Sequence, residues 1–399
     1  MKVINIGHYY HIKGGSDRYM MSLGALLEKH GHEVIPFASA NPDNEDSPYA
    51  KYFPEPGEPE LGRLSRMFYN REAAKKLSML IEDEQPDLAH MHIYYGKLSA
   101  SILPAMKKRG LPVVQTLHEY KTICPVYTLY RNGKICSDCQ GSKFYKAALH
   151  RCNKGSLVRS VASSAEAYIS RWIGDVKHVN HFITVSEFQR QMLLQFDVLK
   201  PEQITTVHNF LDAEGFAPGY APGEYFLYFG RLDATKGVKT LIEAVALHPD
   251  IPLIIAGRGP QEEELQAIVK DKRLQNVTFA GFKSGEELHK LIRGAISCVI
   301  PSEWYETFGL TTIESFALGR PAIGAAIGGI TEVISDGKDG LLFESGNVAE
   351  LSSKLQWMYD RRGDEAPEMG RQGRSKVENE FGIQRHYQKI AAIYDRVMQ

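Results

Sequence analysis

The chain has 399 residues, of which 43% are hydrophobic and 24% are charged, and its formal net charge is −1. This composition is typical of a globular protein with a sizeable core, and the near-neutral charge gives no reason to expect a nucleic-acid partner. A chain of this length favours two or three domains. Because it lacks both a long apolar run and an apolar signal-peptide core at its start, the sequence predicts a cytoplasmic protein that does not span a membrane.

The same order of elements occurs twice along the chain. In the first half, an apolar run at 2–7 predicts a strand, a loop with a double glycine follows, and 17–30 predicts a helix. Further strands are predicted at 32–38, 86–93, 111–118, 181–186 and 204–209. In the second half, a predicted strand at 224–230 leads through a loop to a helix at 238–248. Further strands are predicted there at 252–257, 276–281, 295–301 and 320–326.

Strands that alternate with helices indicate parallel sheets. The predicted fold class is therefore α/β, with two Rossmann-like, doubly wound domains that face each other across a cleft and bind ligands beyond the carboxyl ends of their strands. Ser284 and Glu287 predict a capping box for a helix at 285–294. The predicted boundaries are a first domain at 1–209 with a cysteine-rich, basic insertion at 121–155, a Gly/Pro/Ala-rich linker at 210–224, a second domain at 225–380, and a final helix at 381–399 that packs back on the first domain.

The segment ETFGLTTIESFALGRP (306–321) places two carboxylates near a turn. If one helix carried both, Glu306 and Glu314 would be about 12 Å apart, longer than the roughly 5–9.5 Å that glycoside hydrolysis requires. We expect only Glu314 to be helical, with Gly309 allowing a ligand to approach the backbone and free N–H groups pointing at it. Two solvated carboxylates are the alternative.

The segment GRLDATKG (230–237) supplies two cations after the first strand of the second domain. Arg231 offers a planar fork and Lys236 a point charge, which suits two bridged phosphates. Solvated surface charges are the alternative. Since Glu306 follows another strand of the same domain, the two segments together predict a nucleotide diphosphate site.

The double glycine Gly14–Gly15 opens the first helix and allows a phosphate or sugar to approach the backbone, although a purely structural turn explains it equally well. The GxGxxG fingerprint is missing there, which disfavours an NAD-linked oxidoreductase.

The segments 230–237, 306–321 and 325–343 together resemble the retaining family-4 glycosyltransferases of the GT-B fold, whose hallmark is two Glu residues separated by seven positions. The resemblance extends over nearly the whole chain. It implies that Arg231 and Lys236 neutralise the diphosphate leaving group, that Glu306 holds sugar hydroxyls, and that Glu314 binds the ribose.

The resemblance implies further donor contacts. Backbone N–H groups at Thr307, Phe308, Gly309 and Leu310 would assist Glu306, and the backbone near Gly281 and Phe282 would face the base. His118 would approach the donor sugar from the first domain, although a histidine at a strand end is more often structural. Gly14 and Gly15 would complete the donor site.

These roles predict metal-independent transfer with retention. Cleavage of the anomeric bond places negative charge on the diphosphate, and fixed cations and a helix dipole stabilise that charge. The acidic run DNED (43–46) lies in a polar loop unsuited to metal binding. We therefore expect no catalytic cofactor and front-face attack, in which the departing phosphate takes the acceptor proton.

The expected activity is that of a hexosyltransferase in cell-envelope polysaccharide biosynthesis. It would use a UDP- or GDP-sugar donor and a lipid-linked or cell-surface glycan acceptor. The alternatives are a non-catalytic nucleotide-sugar-binding protein, or an epimerase or phosphorylase on the same scaffold.

Four cysteines, Cys124, Cys136, Cys139 and Cys152, cluster within 124–152. Their spacing permits a structural zinc site, and reduced thiols that bind nothing explain it equally well.

The stretch 121–172 is strongly basic, with nine cations and only two carboxylates, Asp138 and Glu166. Its cations are Lys121, Arg131, Lys134, Lys143, Lys146, Arg151, Lys154, Arg159 and Arg171. Its interleaved apolar residues are Phe144, Tyr145, Leu149, Leu157, Val158 and Trp172. This pattern predicts peripheral docking on anionic lipid at the inner face of the cytoplasmic membrane, with a solvated surface as the alternative.

Overall fold

The computed structural model of the protein describes residues 1–56 and 60–399. The chain forms two units. The first unit comprises residues 1–129, 137–207 and 387–399, and the second comprises residues 130–136 and 208–386. The residues expected to be a linker, 210–224, belong to the second unit.

The strands alternate with helices along the described chain. The strands are β1 (Lys2–Ile6), β2 (Glu33–Phe37), β3 (Leu88–Met91), β4 (Val113–Leu117), β5 (Tyr130–Arg131), β6 (Lys134–Ile135), β7 (His181–Thr184), β8 (Ile204–Thr206), β9 (Tyr225–Phe229), β10 (Leu253–Ala256), β11 (Val277–Gly281), β12 (Ala295–Ile300), β13 (Ala322–Ala325) and β14 (Gly340–Phe343). The α-helices are α1 (Gly15–Lys29), α2 (Glu60–Phe68), α3 (Arg71–Glu84), α4 (Leu103–Lys108), α5 (Tyr145–Leu149), α6 (Leu157–Ile173), α7 (Glu187–Gln195), α8 (Val238–Val245), α9 (Glu262–Asp271), α10 (Gly285–Gly294), α11 (Leu310–Ala317), α12 (Ile330–Val333), α13 (Val348–Asp360), α14 (Glu365–Glu380) and α15 (Ile383–Met398).

The first unit contains a parallel sheet in the order β2-β1-β3-β4-β7-β8. Its strands are short apolar runs that are almost entirely buried, as expected for a sheet covered on both faces. The central strand β1 pairs Val3 with Val34 on one side and with Leu88 on the other. The strand order reverses at β1. Because the strands are parallel, the carboxyl ends of the strands on either side of β1 lie at the same edge of the sheet.

The second unit repeats the plan with a parallel sheet in the order β11-β10-β9-β12-β13-β14. Its core packs Phe226, Leu241, Ile255 and Ile323 between the sheet and the helices on its face. The sheets confirm the expected α/β class, with two doubly wound domains. The edge strand β14 is an element that the sequence analysis did not predict.

Two local features differ from the expectation or add to it. Ser284 occupies the N-cap of α10 but makes no side-chain capping bond, so the predicted capping box is wrong. Glu287 instead pairs with Lys283 at 3.4 Å. The short antiparallel hairpin β5–β6 belongs to the second unit although its sequence neighbours belong to the first.

Across the residues that the structure describes, no helix is both long enough and apolar enough to cross a membrane.

Candidate functional site

Loops at the carboxyl ends of the strands meet closely in the second unit. The loop after β9 passes so near the loop after β12 that a Cβ placed on Gly237 would lie 1.8 Å from the carbonyl oxygen of Pro301. A Cβ on Gly257, after β10, would lie 1.9 Å from the carbonyl oxygen of Gly230. Because these contacts leave no room for a side chain, glycine fixes the backbone of the predicted donor loops.

The structure brings Lys236 and Glu306 together from two of these loops. The ammonium Nζ of Lys236 lies 2.6 Å from Oε1 of Glu306, and Ser302 Oγ donates to the same oxygen at 2.7 Å. Burial by itself raises the pKa of Glu306, but the charge of Lys236 and the hydrogen bonds from Lys236 and Ser302 outweigh burial and lower it. Glu306 is therefore an ionised acceptor at neutral pH. The Lys236 ammonium also lies 5.1 Å from the ring centroid of Trp304.

A second glycine pair holds the backbone of Glu306 in place. The N–H of Gly329 donates to the carbonyl oxygen of Glu306 at 2.7 Å. Gly328 has φ +61°, and a Cβ there would lie 2.4 Å from that same oxygen. In the sequence, these glycines were recognised only as part of a segment that resembles the family. A double glycine two residues after a buried strand was the signal that could have revealed their positioning role.

Helix α11 begins beside Glu306. Gly309 is its N-cap with φ +105°, and no side chain caps its first N–H groups. Glu306 precedes the helix, whereas Glu314 lies in its second turn and is buried. The buried ring of Phe308 packs 5.5 Å from the ring of Phe381. An ionised carboxylate thus lies in the sequence just before the uncapped start of a helix, and that start favours anionic ligands.

Arg231, Gly281 and Phe282 lie at other strand ends of the same sheet. Arg231 is 64% exposed in its side chain and pairs with Asp233 at 3.3 Å, so the structure places it in the Lys236 loop but not on Glu306. Gly281 ends β11 with φ +68° and open space around it. The side chain of Phe282 is exposed and offers an aromatic face. These residues can contact a ligand without rearrangement of the core.

The hairpin β5–β6 adds a residue that the sequence analysis missed. Tyr130 lies in a partly buried position where burial first, and then the nearby charges of Glu303 and Asp233, raise the pKa of its phenol. Asp233 belongs to the Lys236 loop, and Glu303 follows β12. The spacing of the sequence carries no sign that residue 130 reaches this sheet edge.

The predicted residues of the first unit lie at its own strand ends. Gly14 is the N-cap of α1, makes no side-chain cap, and has open space where a Cβ would be. His118 follows β4, and its ring stacks on that of His92 with centroids 5.3 Å apart. Burial lowers the pKa of His118 to about 3, so its imidazole is neutral at physiological pH.

The neighbouring Glu119 is a further residue that the sequence analysis did not single out. Burial raises its pKa to about 7, against the opposing effect of Lys121. A carboxyl group that titrates near neutral pH is typical of functional sites.

Of the four cysteines of the insertion, Cys124 is buried and Cys136, Cys139 and Cys152 are partly buried. Within the described part of the chain, no three or more His, Cys, Asp or Glu side chains are grouped so as to hold a metal ion. Structural zinc stays a prediction for metal analysis.

Solved structures share this architecture. Sucrose-phosphate synthase from Thermosynechococcus elongatus superposes with a TM-score of 0.75 at 20% identity, covering 99% of this chain and 98% of that one. Anabaena Alr3699/HepE in complex with UDP superposes with a TM-score of 0.70 at 17% identity, covering 99% and 100%. The protein therefore has the two-domain α/β fold of the GT-B class.

The family follows from sequence. A model described as Glycosyltransferase Family 4 matches residues 13–214, and one described as Glycosyl transferases group 1 matches residues 219–376. The chain belongs to glycosyltransferase family 4. The glycogen synthase of Mycobacterium tuberculosis H37Rv is 29% identical over 250 residues, which are 60% of this chain and 58% of that protein. The chain thus spans less than two thirds of that relative.

Proposed function

We propose that the protein transfers a hexose from a nucleotide diphosphate sugar to a lipid-linked or cell-surface polysaccharide acceptor, with retention and without a catalytic metal. The observation that carries the proposal is the Lys236–Glu306 pair at 2.6 Å, immediately before the uncapped start of α11. A cation, an ionised acceptor and free backbone donors then serve a leaving diphosphate and the hydroxyls of the sugar.

Each group has a distinct role in this proposal. Lys236, helped by Arg231 and the N-terminus of α11, stabilises the charge that grows on the diphosphate as the anomeric bond breaks. Glu306 accepts hydrogen bonds from sugar hydroxyls, and Glu314 binds the ribose. The backbone from Thr307 to Leu310 supplies further donors.

The remaining predicted residues complete the donor site. The exposed ring of Phe282, next to Gly281, offers a surface for the base. For Gly14, Gly15 and His118, which belong to the first unit, a role in donor binding rests on the family resemblance alone. Because its pKa is about 3, His118 acts as a neutral hydrogen-bonding group. The departing phosphate accepts the proton of the acceptor hydroxyl, so the reaction needs no protonated side chain.

A UDP-sugar is the first donor to test, because the Anabaena neighbour was solved with UDP. Purified protein is screened with UDP-, GDP- and ADP-sugars by thermal shift, and slow hydrolysis of the stabilising donor is followed by NMR of the released sugar. We expect one nucleotide to stabilise the protein and the anomeric configuration to be retained in transfer. Loss of transfer after EDTA treatment of an intact enzyme would contradict metal independence.

The same assay separates the alternatives. A non-catalytic binding protein would show the thermal shift without hydrolysis or transfer. A phosphorylase would require phosphate, and an epimerase would convert the free nucleotide sugar. Metal analysis of the same sample tests structural zinc, since far less than one zinc per chain would eliminate it.

A further inference from the structure

Most of the large apolar side chains of helix α6 face away from the protein, whereas Ile169 and Ile173 are partly buried. Five large apolar side chains of the helix are exposed: Leu157, Val158, Val161, Tyr168 and Trp172. At 3.6 residues per turn they fall within one sector of about 100°, the width of the stripe that a surface helix normally packs against its core. Val158 is 79% exposed and Trp172 is 87% exposed.

The inward face of α6 is polar and made of small residues. Its buried residues are Ser160, Ser164, Glu166, Ala167 and Ser170. Ser164 Oγ donates to the carbonyl oxygen of Phe144 at 2.8 Å, and Ser170 Oγ donates to Glu166 Oε1 at 3.0 Å. Glu166 is also paired with Lys121 at 2.5 Å. These hydrogen bonds and this ion pair fix the orientation of the helix, in which the small and polar residues face inward and the large apolar residues face outward.

Helix α5 packs against α6 and extends the apolar surface. Leu149 at its end is 70% exposed, and Tyr145 at its start is exposed as well. We call the exposed apolar residues of both helices the α5–α6 face: Tyr145, Leu149, Leu157, Val158, Val161, Tyr168 and Trp172. Phe144, expected from the sequence to be part of this surface, is buried instead.

The surroundings of this face are basic. From Cys139 to Ala165 the sequence contains five Lys or Arg residues and no Asp or Glu. Lys146, Arg151, Lys154 and Arg159 form no ion pair among the residues that the structure describes. Arg171, by contrast, is paired internally with Asp175 at 2.9 Å. The unpaired cations therefore flank the apolar residues at the start of α6.

We propose that the α5–α6 face docks on a bilayer surface that contains anionic lipid. Leu149, Leu157, Val158 and Trp172 enter the headgroup region, and the flanking cations contact lipid phosphates. A surface that binds such a bilayer needs apolar side chains for the acyl boundary and cations for the anionic headgroups. Exposed aromatic and aliphatic side chains beside unpaired Lys and Arg meet both needs. This docking rests on the proposed function only in that a lipid-linked acceptor would be reached at the bilayer. Docking itself needs no donor.

The test uses the full chain and vesicles of phosphatidylcholine with about 30% phosphatidylglycerol at low salt. We expect binding in co-sedimentation and a blue shift of tryptophan fluorescence that Trp172→Phe abolishes. The double variant Leu157→Ser/Trp172→Ser is expected to bind at least about 10-fold more weakly. The matched control Leu247→Ser, which removes an apolar side chain 61% exposed in the second unit, leaves binding unchanged.

The charge arm uses Arg151→Gln/Lys154→Gln/Arg159→Gln, which is expected to weaken binding and reduce its dependence on salt, with Lys272→Gln as control. Equal binding by the variants and the wild type would overturn the proposal. A lipid-free dimer that the apolar variant dissociates would show instead that the face joins two copies of the chain. Thermal shift by UDP, measured without vesicles, reports on the proposed function separately.

Discussion

The proposed donor site depends on Glu306, a buried carboxylate beside the ammonium group of Lys236. Glu306 stays ionised because Lys236 and Ser302 bind one of its oxygens, and the backbone of Gly329 holds its carbonyl oxygen. Removal of one partner of such a pair leaves a charge buried without compensation, which costs more than the pair contributes.

We therefore expect Lys236→Met to destabilise the protein by about 2–4 kcal/mol, somewhat less than for a fully buried pair because Lys236 is 28% exposed. Adding Glu306→Gln should recover part of this loss. Urea unfolding of both single variants and the double variant measures the coupling. Lys239→Met, at an exposed position in α8, is the control, and an equal loss there would contradict the role of the pair.

The second residue-scale prediction concerns pH. The pKa of Glu119 rises from 4.5 to about 7 in the folded protein, so folding favours its protonated form. The contribution of this protonated carboxyl to the free energy of unfolding is fully present below pH 4.5, and it is lost as the pH rises through about 7. Glu119→Gln should then be as stable as the wild type at low pH and more stable above neutrality by about 1–3 kcal/mol. Melting temperatures across this range test it, and a constant difference would contradict it.

The loops that carry the proposed donor site depend on contacts between their backbones. Gly237 and Gly337 have similar φ values, +64° and +74°, but only Gly237 has another loop where a Cβ would be. Alanine strains the backbone equally at both positions, so a comparison isolates the contact with Pro301.

We expect Gly337→Ala to cost about 1 kcal/mol and Gly237→Ala about 3 kcal/mol or more, with weaker UDP binding in the second case. Chemical denaturation and calorimetry of the two variants measure this. Equal losses in the pair would show that the close approach between the loops relaxes easily.

At this scale, the sequence predicted whether a segment is a strand or a helix better than it predicted which residues that segment contacts. Apolar runs such as 295–301 located the buried strands, and the glycines at 309 and 319 bounded α11. The short strand β14 was missed because Gly340–Phe343 follows a polar turn and carries little periodicity. Ser284 is the N-cap of α10, but the predicted capping box is absent and Glu287 pairs with Lys283 instead, a choice that local spacing cannot reveal. The exposure of Leu157, Val158 and Trp172 on α6 was expected, but the contacts that hold the opposite face inward were not, because Phe144 and Lys121, the partners of Ser164 and Glu166, lie outside the helix.

For the whole molecule, the repeated order of strands and helices made the α/β class predictable. Which residues belong to which unit was less predictable. Residues 387–399 belong to the first unit, where the final helix was expected to pack. Residues 130–136, by contrast, belong to the second unit although their sequence neighbours belong to the first, which was not predicted. Tertiary contacts, rather than composition, determine such exchanges. For the same reason Tyr130 was absent from the predicted site.

The last helix provides a test at this scale. Tyr394 is fully buried in the first unit, and its hydroxyl lies 2.6 Å from Nδ1 of His90. We expect Tyr394→Ala to destabilise the first unit by about 3–5 kcal/mol while the UDP binding proposed for the second unit is unaffected. Hydrogen exchange of peptides from each unit measures this, with Met398→Ala as control. Uniform loss of protection in both units would contradict separate cores.

The return of residues 387–399 to the first unit has a consequence for synthesis on the ribosome. Most of the first unit is translated early, but its core cannot include Tyr394 until residues 387–399 have been translated. The second unit, whose residues end at 386, has its full sequence earlier. The core of the first unit can thus be completed only after every residue of the second unit has been synthesised.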